Sequence, residues 1–321
     1  MSITLDDTPA TYQGRPRYEG ANIRTWIGFK HFEYLVEEAV LQWFRDRGIG
    51  PSALYHAYGI GLEFVDSSIR LPATLTIDDE VSATAVPGTP VRGRGLPFTV
   101  KLTVERDGKT VPILSGKVRV ALVREKDAPQ NEPLPAALEP ITVAEVAELS
   151  PAGAGLVLPE AIDVPAGSDV QAALVPAGSN GFLWSWRIPY FYCHFSDRLQ
   201  HSGYVRAMEE VVDRFLESRG LAVGRMLDER GWIPVVSRAR VQLLADAHME
   251  ETLHTVFTVE EIVKDVMYTA RMDCYVLRDG RLIPTATGTI LHGYAVSRGK
   301  NAGALAEFDA ATRTALLGDA A

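Results

Sequence analysis

The chain has 321 residues, 46% of them hydrophobic and 23% charged. This is globular composition and argues against a disordered or fibrous chain, and the length predicts two domains or one doubled domain. The net charge of −9 argues against nucleic-acid binding through an overall basic field, and no apolar run approaches the roughly 18 residues of a membrane span. Cys193 and Cys274 show no metal-ligand spacing and make no disulfide framework. The first twenty residues lack the basic-then-apolar layout of a signal peptide. A soluble cytoplasmic protein with no nucleic-acid or membrane partner is expected.

The elements run in the same order twice. The first unit opens with a strand at 17–27 and a helix, HFEYLVEEAVLQWFRDRG, from His31 to Gly48. Strands rich in Val, Ile, Thr and Tyr follow near Tyr58–Ile69, Glu80–Val86, Phe98–Glu105 and Ile113–Leu122. A Pro-, Ala- and Gly-rich stretch from Arg124 to Asn180 reads as a long connection with one helical pattern at Thr142–Leu149. The second unit repeats the scheme. A strand spans Phe182–Phe195 and a helix, SGYVRAMEEVVDRFLESRG, spans Ser202–Gly220. Strands follow near Ile233–Leu244, Thr252–Val263, Val266–Leu277 and Thr285–Tyr294. A tail helix is expected within 303–317.

A constant offset of 172 relates the two units. Arg106-Asp107-Gly108-Lys109 meets Arg278-Asp279-Gly280-Arg281, and Pro112 meets Pro284. Gly116 meets Gly288, Arg47-Gly48 meets Arg219-Gly220, and Gly59 meets Gly231. The Asp-Gly pairs read as hairpin turns, because Gly accepts the positive φ such turns require. Each unit is thus α+β: one long helix, apolar around most of its circumference, wrapped by five or six mostly antiparallel strands. The boundaries fall at 15–123, 124–181 for the linker, 182–295, and 296–321 for the tail.

One helix swaddled by an antiparallel sheet, duplicated in tandem, resembles the double hot-dog fold. The stretch Asp197-Arg-Leu-Gln-His201-Ser-Gly-Tyr204-Val-Arg-Ala-Met-Glu209 resembles the helix start of acyl thioesterases of the 4-hydroxybenzoyl-CoA thioesterase superfamily. Its Asp-to-His spacing of four is similar to that of plant-type acyl-ACP thioesterases. It departs from them in having Leu199 between Asp and His, and Ser202-Gly203 in place of an Asn-rich stretch. The resemblance implies thioester hydrolysis on an acyl-CoA or acyl-carrier protein, with no cofactor and no metal, CoA or phosphopantetheine being part of the substrate. It also implies a pseudo-dimer with two sites at the joint, able to pair again as a homo-oligomer.

Thioester hydrolysis needs a base, a correctly placed water and donors for the developing oxyanion. Asp197 is the candidate base or nucleophile, His201 its orienting partner, Tyr204 a thioester contact, and Glu209 a second carboxylate on the helix. The backbone of Ser202, Gly203 and Tyr204 offers helix-start N–H groups. Each has a plainer reading: Asp197 a helix cap, His201 a satisfied junction residue, Tyr204 core, Glu209 a solvated helix residue. Unit one would lend Glu37, His56 and Tyr58 as substrate contacts, with Tyr55–Gly59 at a strand entrance. At the common offset Thr25 stands at the Asp197 position and Phe29 at the His201 position. A different gap placement would match His31 with His201. Either way, unit one lacks the carboxylate, which reads as one live and one decayed site.

Three other readings share these residues. Hot-dog hydratases and dehydratases also use an Asp and a His near a helix start, with a small residue six after the His, as Ala207 is. Acyl transfer or decarboxylation on a carrier-bound group, and a non-catalytic scaffold, complete the set. His194, Asp197 and His201 also form a two-His-one-carboxylate pattern, but His194 is expected on a strand facing away from Asp197.

Overall fold

The computed structural model describes residues 4–151, 157–165, 167–195 and 197–318. Strand β1 (Ala10–Gly14) precedes α1 (Phe29–Asp46) and α2 (Pro51–Tyr58). Strands β2 (Ile60–Arg70), β3 (Val81–Pro87), β4 (Leu96–Arg106) and β5 (Lys109–Arg124) complete the first unit. The connection holds β6 (Thr142–Val143), β7 (Ile162–Asp163) and α3 (Val170–Leu174). Then come β8 (Phe182–Arg187), the short β9 (Cys193–His194) and β10 (Arg198–Leu199), α4 (His201–Ser218) and α5 (Val223–Arg230). Strands β11 (Trp232–Leu243), β12 (Thr252–Val263), β13 (Met267–Arg278) and β14 (Arg281–Val296), then α6 (Ala310–Leu317), close the chain. Among the described residues no helix is long and apolar enough to cross a membrane, and both cysteines are free.

The offset of 172 holds in three dimensions. It carries α1 onto α4, α2 onto α5 and β5 onto β14, residue for residue. It also carries irregularities. The bulge between Phe64 and Asp66 maps onto the one between Val236 and Arg238, and that at Leu102/Thr103 onto Cys274/Tyr275. Asp107-Gly108 and Asp279-Gly280 all have positive φ, as a two-residue hairpin whose twist matches its strands demands.

One sheet runs through both units in the order β1-β3-β4-β5-β2-β11-β14-β13-β12-β8. The units join where β2 pairs antiparallel with β11, and Ser68 faces Arg240 there. These two residues are themselves 172 apart, so a pseudo-twofold axis passes between them. A second marker of that axis is Arg206, whose Nε donates to the Tyr34 hydroxyl at 2.7 Å across the same separation. Trp43 and Phe44 of α1, and Phe215 and Leu216 of α4, are fully buried, each helix lying in the curve of its own sheet.

Several expected elements differ. The strand at 17–27 is instead a 3-10 turn at Tyr18–Gly20 and a loop bridged between Ala21 and Ile27. Arg24 turns it with φ of 68°, and Gly20 presses on the His31 ring, where a Cβ would come within 2.6 Å. The second expected strand stops at Arg187, and Pro189 leads into a 3-10 turn at Tyr190–Tyr192. Tyr55 to Tyr58 are helical, in α2, rather than at a strand entrance. Thr142–Leu149 is not helical. Its first two residues add β6 parallel to β5, and Val146–Glu148 form a 3-10 turn with Val146 buried. The connection is strapped to both units, since β7 pairs with β14. The tail helix begins only at Ala310, where Asp309 caps it by accepting from the Thr312 N–H at 2.8 Å.

A sheet shared by both units should unfold as one body. Trp43→Ala in unit one and Phe215→Ala in unit two should each cost about 3–5 kcal/mol. In urea melts followed by tryptophan fluorescence and by circular dichroism, each variant should keep a single coincident transition. Two separated transitions would refute the shared body.

Candidate functional site

The helix α4 starts at His201 with Gln200 at its N-cap, and Gln200 places no side chain over the first-turn amides. The pseudo-twofold lays this helix start against the middle of α1 and the centre of β2. The His201 ring is 2% exposed and tilts against Phe64. Its Nε2 lies 3.0 Å from Ser67 Oγ, and the Ser67 hydroxyl lies 3.0 Å from Glu33 Oε1. Its Nδ1 lies 3.7 Å from Glu37 Oε1 and has no closer partner. A four-group chain, Glu37–His201–Ser67–Glu33, therefore crosses from one unit to the other and back.

The protonation pattern follows from the inventory of donors. Burial raises the Glu33 carboxyl to about 7, against the lowering influence of His201 and Ser67. Burial pulls the His201 imidazole down, but the nearby Glu37 and Glu33 carboxylates outweigh it and raise it. Serine has one proton to give. With Glu33 ionised, Ser67 donates to Glu33 and His201 Nε2–H donates to Ser67, whether the ring is the neutral Nε2–H tautomer or an imidazolium. With Glu33 protonated, Glu33 donates to Ser67, Ser67 donates to Nε2, and the neutral ring keeps its proton on Nδ1. An Nδ1–H faces Glu37 in the second state and, in the first, when the ring is an imidazolium.

Beside this chain Asp66 accepts from Arg240 Nε at 3.0 Å and Nη2 at 3.3 Å. A second buried cluster lies along the same strand. Arg198 binds Glu63 at 2.9 Å, Glu125 at 2.8 Å and Asp246 at 2.7 Å, and His194 Nε2 reaches both Glu63 oxygens at 2.9 and 3.0 Å. Burial alone would raise Glu63, but the charges and hydrogen bonds of His194 and Arg198 hold it below its ordinary value.

The expected site residues are not all brought together. Asp197 lies at the surface with its Oδ1 3.2 Å from His248 Nδ1. Tyr204 is 1% exposed in the core of unit two, with Thr285 and Cys274 among the groups around it, and burial pushes its phenol well above the ordinary range. Glu209 pairs with Lys30 instead of His201. Ser202 is buried. The Gly203 N–H already donates to the Gln200 carbonyl at 2.9 Å, so it is no oxyanion donor. Gly203 is needed for packing, as a Cβ there would come within 2.5 Å of Leu199 Cδ1. His56 is exposed on α2 and its carbonyl accepts from Asn131, while Tyr58 ends the same helix beside Gly59. Glu37 does meet His201, by the operation that sends its counterpart Glu209 to the opposite end of the joint. His194 turns to Glu63 and does not join Asp197 and His201. Among the described residues no cluster of His, Cys, Asp and Glu is placed to hold a metal.

Phe29, the first residue of α1, stands where His201 stands in α4, which settles the gap placement. His31 is packed beneath Gly20, and burial lowers its imidazole to about 4. Glu33 and Ser67 had no counterpart in the expected site, because each meets His201 only through the unit joint. The signal that could have found Ser67 is the strand β2 itself, where Glu63, Asp66 and Ser67 interrupt a fully buried run.

Comparison with known proteins gives the family. The model of the thioesterase-like superfamily matches residues 157–316. A 12:0-ACP thioesterase from Umbellularia californica superposes with a TM-score of 0.58 at 8% identity, over 89% of this chain and 94% of that one. An acyl-ACP thioesterase from Bacteroides thetaiotaomicron superposes with a TM-score of 0.54 at 12% identity, over 88% and 97%. No curated protein sequence matches the chain. Residues 157–316 thus match the thioesterase-like superfamily, and the chain has a double hot-dog fold.

Glu33 supplies a stability test. Its carboxyl keeps a proton in the fold up to about pH 7, against an ordinary 4.5. The folded state therefore binds the extra proton, and stability from this group is full below about 4.5 and is lost as pH rises towards 7. Glu33→Gln should flatten the fall in urea midpoint over that window. An unchanged slope would remove Glu33 as the proton holder.

Proposed function

We propose that the chain hydrolyses acyl thioesters carried on CoA or an acyl carrier protein, with His201 and Glu37 as the reacting pair. The observation that carries this reading is the approach of His201 Nδ1 to Glu37 Oε1 at 3.7 Å across the unit joint. A proton on Nδ1 would orient the Glu37 carboxylate, whose side chain is 22% exposed while that of Glu33 is sealed. Glu37 is thus the member of the chain that a water and a thioester can reach. It would take the proton as the water oxygen attacks the carbonyl carbon. The amides of His201 and Ser202, at the positive end of the α4 dipole, would receive the developing oxyanion. As the C–S bond breaks, the thiolate recovers the proton from Glu37, leaving an acid and a thiol. Ser67 and Glu33 hold the imidazole and buffer its charge without touching substrate. The thioesterase-like family match over residues 157–316 supports hydrolysis.

Free-thiol release from a panel of acyl-CoAs, and mass spectrometry of an acylated carrier protein, test this. Glu37→Gln and His201→Ala should each lower kcat by about 10²–10⁴-fold with little change in KM. Asp197→Asn should stay within about twofold of wild type, because its partly exposed carboxylate pairs with His248. The reverse pattern would move the base to Asp197. Turnover without thiol release would favour water addition or elimination instead.

A further inference from the structure

The end of the joint that is pseudo-symmetric to His201 is hollow. A cavity of about 680 Å³ lies there between the start of α1, the middle of α4 and strand β11, within the range of small-molecule sites, about 300–1,000 Å³. The offset of 172 shows what this end has lost. Phe29 replaces His201, Val205 replaces Glu33 and Ala239 replaces Ser67, so no proton chain stands beside it. Ile23, Trp26, Val235 and Val236 line the cavity and are all part-exposed, so their apolar surface is open to an occupant.

Charge around this space is uneven. Lys30 is paired with Glu209, and Glu210 with Arg214. Arg206 lines the cavity unpaired: among the described residues no carboxylate makes an ion pair with it. Its Nε donates to the Tyr34 hydroxyl at 2.7 Å, and its guanidinium lies 5.5 and 5.4 Å from the Tyr34 and Tyr192 ring centres. Burial pushes the Tyr34 phenol up to about 12, so that partner brings no counter-charge. Arg206 is part-exposed and none of its nitrogens is sealed without a partner, so its fork is open to a ligand in the cavity. A guanidinium with donors to spare matches a carboxylate in geometry and charge. Asp213 also lines the cavity and, among the described residues, makes no ion pair. It lies seven residues further along α4, about 10 Å by the helix rise. It is exposed, so water solvates it, and it repels a second negative group at that end of the cavity.

We propose that this cavity is a second, non-hydrolytic site for a straight-chain monocarboxylate, with the carboxylate on Arg206 and the chain against Trp26, Val235 and Val236. Such binding goes beyond the thioesterase reading and does not depend on it.

The test is titration calorimetry of the full chain at pH 8 with octanoate, 1-octanol and octanedioate. In wild type octanoate should bind at least tenfold tighter than 1-octanol, as a hydrogen bond to a charged group supplies. It should also bind at least tenfold tighter than octanedioate, whose second carboxylate would enter apolar walls near Asp213. Arg206→Met, which keeps the apolar stem, should lose tenfold or more in octanoate affinity and leave 1-octanol within about twofold, with circular dichroism confirming that it folds. Arg206→Lys should keep part of the preference. Val235→Phe, which narrows the cavity from β11, should weaken octanoate and 1-octanol at least tenfold each. No binding of octanoate to wild type, or affinity equal to that of 1-octanol or octanedioate, would overturn the site. A preference that survives in folded Arg206→Met would overturn the role of Arg206, and unchanged binding in Val235→Phe would overturn the cavity. If either variant does not fold, the wild-type ranking and Arg206→Lys decide. Thiol release by wild type and Val235→Phe, followed in parallel, separates the two sites. Retained release with lost octanoate binding supports a separate site, whereas a folded Val235→Phe losing both makes this cavity part of the reaction and overturns the proposal. If wild type releases no thiol, the thioesterase reading fails while the octanoate ranking still decides this one.

Discussion

Everything distinctive in this chain depends on the antiparallel pairing of β2 with β11. Five residue pairs, from Arg238 opposite Arg70 to Gln242 opposite Asp66, set two copies of one unit about an axis through Ser68 and Arg240. Because the axis relates the helices, the start of each lies beside the middle of the other. A slip of one residue would turn every side chain of these strands to the opposite face. Ser67 would then leave His201, and Asp66 would leave Arg240. The register is held by the bulge between Phe64 and Asp66, repeated between Val236 and Arg238, and by the bidentate Asp66–Arg240 pair that spans the joint.

That joint is unusually polar for a buried surface. Glu33, Glu63, Asp66, Ser67, Arg198 and His201 are all buried close to it. Buried charges contribute little net stability beside an apolar replacement, but removing one partner is costly because the other is left unpaired. Arg198 answers three carboxylates from two units and the segment after β5. Such an arrangement selects a geometry more than it strengthens it. It fixes how the units meet, and hence where Glu37 stands relative to His201.

The architecture was legible because local signals repeat. Asp-Gly turns, Gly-terminated helices and alternating strands recurred at one spacing, and a shared spacing across unlike elements reports duplication. Elements set by tertiary contact were less legible. The loop at 17–27 has the β-rich look of a strand but is bent by Gly20 against His31 and by Arg24. The segment at Thr142–Leu149 has helical spacing, yet it is drawn out by β5, which offers Thr142 and Val143 a parallel edge. The site was half legible. His201 could be picked out by its place at a helix start. Its partners could not, because Glu33, Glu37 and Ser67 lie 168, 164 and 134 residues earlier and meet it only through the axis. Glu209 was plausible for the same reason in reverse, since sequence proximity on one helix hides that the axis sends it to the other end of the joint.

The asymmetry of the two ends follows from what a buried proton chain requires. Glu33 can stay buried because Ser67 bonds it and because its raised value near 7 lets it shed its charge. Each member therefore needs the next. Replace the imidazole by the Phe29 ring and the serine would have no nitrogen to meet. Replace the serine by Ala239 and a carboxyl at the position of Val205 would be buried without a donor. Losing one group makes the remaining two costly, so decay at that end should run to completion, as Phe29, Ala239 and Val205 together show. Glu209 escapes this logic because it is part-exposed and found Lys30. Phe29, Val205 and Ala239 leave that end of the joint without a buried proton chain, while the other end keeps His201, Ser67 and Glu33 in contact.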